Sequence, residues 1–119
     1  VKRVIEEAIG CYDANFLSAS SVMLRKVLEC SIHSKFKTED SLDELFDKDG
    51  NVYSLRKRIE LAKQKKWIAA NLASELINIK WFGDVAAHNF TIQIRSEDLK
   101  RNMNLLRLVL EGMFGQQRT

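Results

Sequence analysis

A chain of 119 residues with no proline and only five glycines has few residues that force frequent reversals, and that scarcity is the strongest constraint on its fold. Long helices need neither residue in their interior. The apolar residues recur at helical rather than strand spacing, so the chain reads as all-α. With 45% hydrophobic residues, a chain of this length has enough material for one sizeable core and too little for two. One domain over residues 1–119 is therefore expected. Charged residues make up 29% and are mixed in sign, which disfavours wholesale disorder, and no apolar run approaches the length that crosses a membrane. The chain starts at Val1 with no basic-then-apolar leader, so a cytoplasmic domain excised from a longer protein is expected.

In the first segment Ile5, Ala8, Ile9, Tyr12 and Phe16 form one stripe of a helix. The second, "LSASSVMLRKVLECSIHSKF", carries Leu17, Leu24, Leu28 and Ile32 on one side, with Val22, Met23, Val27 and Phe36 spread around the cylinder. A helix so widely apolar is expected at the centre. Ser41 with Glu44 three residues on is a capping-box pattern for a short helix to about Phe46, closed by the Asp49-Gly50-Asn51 cluster. Residues 52–65 read as another helix. A longer one begins near Trp67, with Ala69, Leu72, Ala73 and Leu76 inward and small alanines allowing close approach. Phe90, Ile92 and Ile94 alternate as a short extended connector, without a genuine sheet. Ser96, Glu97 and Asp98 open a last helix, since acids complement the amide dipoles of a first turn. Leu99, Met103, Leu106, Leu110 and Met113 continue it, and Gly115 can end it.

Metal and cofactor signals are weak. Cys11 and Cys30 lack the close pairing of a disulfide scaffold or zinc site and read as reduced core thiols. Cys30 and His33 have a CxxH spacing, but His33 and His88 are the only histidines, too few for a convincing four-ligand site. The Asp-Gly-Asn cluster puts Gly50 out of register for a calcium loop, with an arginine where the bidentate glutamate belongs. No dinucleotide glycine motif, P-loop or GxSxG elbow is present. No metal and no cofactor is expected.

The stretch "IKWFGDVAAHNF", residues 79–90, holds the densest chemistry. On one continuous helix Lys80, Asp84 and His88 stand at i, i+4 and i+8, one polar track at the edge of the core, with Ala87 beside it facing inward. Gly83 could break the helix between them. In the second helix Arg25 and Glu29 are i, i+4 partners among Val22, Ile32 and Phe36, where charges should be paired or desolvated.

"EAIGCYDANFLSASSVMLRKVLE", the "IKWFGDVAAHNF" stretch and a last amphipathic helix together resemble the family catalogued as domain of unknown function 4145, grouped with the HEPN-like helical bundles. The likeness spans nearly the whole chain and is most specific at Arg25 to Glu29 and at Gly83 to His88. It implies a HEPN-like bundle of four to five helices, often dimeric, occurring alone or attached to restriction and other defence proteins. Related HEPN domains include metal-independent ribonucleases as well as noncatalytic nucleotide-binding or assembly modules. Those ribonucleases place an arginine shortly before a histidine, with four to six residues between them. Here positions 81–83 hold Trp81, Phe82 and Gly83, and the nearby base is Lys80, without a guanidinium fork. Asp84 also stands where the family usually has asparagine.

Three functional readings follow. The favoured one is a noncatalytic binding and oligomerisation module, an accessory domain of a nucleic-acid-related or defence protein, in which His88, Asp84, Lys80, Arg25 and Glu29 join helices. The second is a metal-independent ribonuclease in which His88 acts as general acid or base, Lys80 or Arg25 stabilises the phosphorane and Asp84 orients the imidazole. The third is non-specific RNA or DNA binding through residues 54–66. There Arg56, Lys57, Arg58, Lys63, Lys65 and Lys66 face the single Glu60, with Trp67 beside them as a base-stacking platform or a core residue. Association into a homodimer would bury Phe90, Ile92, Met113 and Phe114, which could equally complete the monomer's own core.

Overall fold

The computed structural model describes residues 1–88 and 94–115, with only the backbone of His88. Among the described residues five helices and one short 3₁₀ turn account for the regular structure: α1 (Lys2–Asp13), α2 (Leu17–Thr38), the turn (Leu42–Leu45), α3 (Leu55–Gln64), α4 (Ala70–His88) and α5 (Ser96–Phe114). The all-α expectation holds. Among the described residues the only strand-like pairing is a single antiparallel bridge between Phe46 and Val52. No helix among them is long and apolar enough to cross a membrane.

Helix α2 is the axis of the molecule, touching α1, α3, α4, α5 and the 3₁₀ turn. Its wide apolar surface makes that possible, since Leu24, Val27, Leu28, Ile32 and Phe36 are all buried. Three of the polar residues buried with them are satisfied nearby. Ser20 Oγ donates to the carbonyl of Ala8 at 3.0 Å, tying α1 to α2. Ser31 Oγ donates to Val27 O at 2.7 Å within the helix. Lys35, only 5% exposed, reaches Glu39 at 3.0 Å and lies over the rings of Trp67 and Phe114. Its stem packs while its charge keeps a partner.

Several local expectations need correction. Phe16 is not on the α1 stripe, because α1 stops at Asp13 and Asn15 takes a left-handed conformation (φ 65°). Phe16 then precedes α2, 65% exposed, and Ile9 is also exposed. Ser41 makes no capping box. Its hydroxyl donates back to Glu39 O at 3.2 Å, while Glu44 is held by Lys65 at 2.9 Å. Helix α3 begins three residues later than read, because Val52 is engaged in the bridge and Ser54 is the N-cap, its oxygen accepting from Lys57 N at 3.2 Å. Helix α4 does not start near Trp67. Lys66 turns left-handed (φ 64°) and Trp67 folds inward to meet Phe36 edge-on at 4.8 Å, so the new helix opens at Ala70 and Ala69 stays exposed.

Leu55, Ile59 and Ala62 of α3, Ala73, Leu76 and Ile79 of α4, and Leu99, Leu106, Val109 and Met113 of α5 close the core around α2. Met113 is 1% exposed and completes the monomer's core, while Phe114 is half-buried against it beside Lys35. Ile94 is buried ahead of α5, whereas Phe90 and Ile92 lie outside the described residues. Gly115 caps α5 with a right-handed backbone (φ −66°), not the left-handed turn that glycine usually supplies there. Cys11 and Cys30 are free thiols, half-buried rather than in the core.

Candidate functional site

The polar track of α4 and the charged turn of α2 form one network. Helix α4 runs through Gly83 without a break, so Lys80 and Asp84 share a face and pair at 2.8 Å. The other oxygen of Asp84 takes Arg25 Nη1. Arg25 Nε donates to Glu29 Oε1 at 2.9 Å, and Glu29 Oε2 lies 3.7 Å from Arg58 Nη2 of α3. Three cations and two carboxylates thus link α4, α2 and α3 in a row. Except for Arg58, which is 13% exposed, each side chain is about a third exposed. The side chain of His88 lies outside the described residues, so the third member of the predicted track is placed by backbone alone. Ala87, read as inward, is exposed.

Gly83 explains how the network closes. A Cβ there would lie 2.9 Å from Arg25 Cβ and 3.1 Å from Arg25 Cδ, with Ser21 O at 3.4 Å. The backbone of α4 therefore rests directly on the root of Arg25, and the guanidinium is carried past it to Asp84. The glycine that could have broken the helix instead sets the distance between helices. Two buried polar atoms on the helices of this junction have no hydrogen-bond partner, Ser21 Oγ and Arg58 Nε.

The basic run of residues 54–66 is divided by helical geometry. Arg58 turns toward α2 and the network just described. Lys65 is held by Glu44 at 2.9 Å, and Lys66 sits exposed in the turn after α3. That Lys65 hydrogen bond, foremost, holds the Glu44 carboxyl below its usual pKa. Arg56, Lys57 and Lys63 instead edge an open groove of about 680 Å³ between α3 and α4, whose apolar lining includes Ile59, Ala73 and Ile77. Glu60 lies in the same groove, 3.4 Å from Lys63. No aromatic ring among the described residues lines it. Trp67 packs against Phe36 and under Lys35, so the core alternative holds for that residue.

The family model described as Domain of unknown function (DUF4145) matches residues 6–118. The chain belongs to that family. No curated protein and no solved structure matches it. In this DUF4145 domain the two stretches that carried the resemblance, Arg25 to Glu29 and Gly83 to His88, meet where α2 crosses α4. Arg58 as a member of the junction was missed from sequence, because its neighbours Arg56 and Lys57 look alike and only the rotation of α3 separates them. The groove was missed too. Ala73 is buried as read, and together with the exposed Ala70 and Ser74 it also lines the groove beside α3.

Proposed function

We propose that this domain is a noncatalytic binding and oligomerisation module, working in the cytoplasm as an accessory part of a nucleic-acid-related or defence protein. The observation that carries the noncatalytic reading is that Lys80 and Arg25, the two cations available to stabilise a phosphorane, both converge on Asp84. A carboxylate held by two cations is a joint, and cations so held are poorly placed to follow charge developing on a substrate. The HEPN-like assignment and the link to defence rest on the resemblance at Arg25 to Glu29 and Gly83 to His88. The α3–α4 groove is the surface we assign to binding, because it combines apolar lining with a basic edge and takes no part in the joint.

The test is cleavage of a panel of single-stranded and hairpin RNAs in EDTA by the wild-type domain, His88→Ala and Lys80→Ala, with folding verified by circular dichroism. We expect no cutting by any of the three and a lowered melting temperature for Lys80→Ala. Cutting by the wild type that disappears in His88→Ala would overturn the proposal in favour of a metal-independent ribonuclease.

A further inference from the structure

We infer that the α3–α4 groove receives the acidic turn around residues 43–52 of a second copy of this chain, giving a closed two-fold dimer. The inference rests on the binding reading above and names the partner of that same surface. Residues 38–49 carry Glu39, Asp40, Asp43, Glu44, Asp47 and Asp49 against the single Lys48. Residues 54–66 carry the opposite balance, six cations against Glu60. Glu39 and Glu44 are engaged within the chain by Lys35 and Lys65, and Arg58 by Glu29, so the complement lies between Asp43, Asp47 and Asp49 of the turn and Arg56, Lys57 and Lys63 of the groove.

The turn is built as a rigid tip. The Asp47 carboxylate accepts from Asp49 N and Asn51 N, both at 2.9 Å, while Gly50 supplies the left-handed step (φ 83°). The Phe46–Val52 bridge closes it. Both bridge partners are exposed, Phe46 by 37% and Val52 by 53%, so an ordered apolar pair is flanked by acids. The groove offers the complement, with half-buried Ile77 over the buried Ile59 and Ala73 in its lining and Arg56, Lys57 and Lys63 at its edge. A preorganised tip loses little conformational freedom on docking.

The tip does not fill its own groove. None of residues 43–52 lines it, and Tyr53 N donates to Leu45 O at 2.9 Å, which anchors the stem of the turn just before the first groove-lining residue, Ser54. That short spacing also favours a closed pair. With donor and acceptor side by side, one two-fold axis between them engages both tips in both grooves, instead of propagating an open chain. A phosphate backbone fits less well, since no ring among the described residues lines the groove for a base and Glu60 is presented to the phosphates.

Sedimentation equilibrium of the full chain from micromolar to near-millimolar concentration, at low and high salt, tests this. Two charge-reversed variants keep the core untouched, Arg56→Glu/Lys57→Glu in the groove and Asp43→Lys/Asp49→Lys on the tip, all four residues being exposed. The expected result is a wild-type mass of twice 13.7 kDa that falls with salt. Each variant alone should dissociate more than roughly tenfold more readily. An equimolar mixture of the two should recover the dimer, because the reversed groove then meets the reversed tip and opposite charges face each other again. Phe46→Ser should weaken the wild-type dimer as well. A wild type that stays monomeric throughout, or a dimer indifferent to both reversals, overturns the inference. So does a monomer whose groove reversal abolishes binding of a labelled single-stranded RNA, which would give the groove to nucleic acid. A wild type that stays monomeric also removes the oligomerisation part of the proposed function but leaves its noncatalytic part to the cleavage assay, whereas a dimer indifferent to both reversals overturns this inference alone, so the two failures are distinguishable.

Discussion

Alanine is a better helix former than glycine by about 1 kcal/mol, yet Gly83→Ala is expected to lower stability. The added methyl would meet Arg25 Cβ at 2.9 Å, an atom fixed to the α2 backbone, so the helices must part rather than a side chain swing aside. We expect a loss of about 1–3 kcal/mol, read from urea unfolding midpoints. Gly10 is the control. It lies within α1, where an added methyl would have no neighbour within 4 Å, and Gly10→Ala should gain about 0.5–1 kcal/mol by the same measurement. Glu44 supplies the pH dependence at this scale. Lys65 holds its folded pKa below the ordinary carboxylate value, so the pair's stabilisation is present above the unfolded pKa and is lost as pH falls through the folded one. Melting curves across an acid series should show wild type slightly above Glu44→Gln near neutrality, with the difference vanishing in acid.

Between elements, the row Lys80, Asp84, Arg25, Glu29, Arg58 ties three helices, but its members are mostly about a third exposed and solvent screens them. A double-mutant cycle of Arg25→Ala and Asp84→Ala should therefore give a coupling of only about 0.5–1 kcal/mol. A much larger value would mean that the pair is shielded from water more than its exposure of 31% and 34% indicates. Lys35 is a different case, since it is buried between α2, Trp67 and Phe114. Replacing a buried charge by an apolar side chain of similar length is often neutral or stabilising. Lys35→Met should hold or raise the melting temperature, and Lys35→Ala, which empties the space under two rings, should lower it.

For the molecule as a whole, the arrangement around α2 makes cooperative unfolding the expectation. Leu28 is fully buried on that central helix, and Leu28→Ala should cost about 2–5 kcal/mol. Because every other helix leans on α2, far-ultraviolet dichroism and tryptophan fluorescence should shift together in urea, with no helix melting ahead of the rest.

The all-α class, the central place of α2, the last helix and the pairing of Arg25 with Glu29 were legible in the sequence, because each depends on residues within a few helical turns of one another. Helical periodicity is a local property, and an i, i+4 pair meets wherever a helix forms. The starts of α3 and α4 were less legible, since they depend on competition among a bridge at Val52, a cap at Ser54 and a turn at Lys66. Tertiary structure alone decided the rest. It placed Gly83 against Arg25, turned Arg58 away from Arg56 and Lys57 toward Glu29, and opened a groove where α4 passes α3 beside Ala70, Ala73 and Ser74. Those outcomes depend on how far each helix is rotated and how closely two helices approach, quantities set by the packing of all the elements at once and carried by no single stretch of sequence.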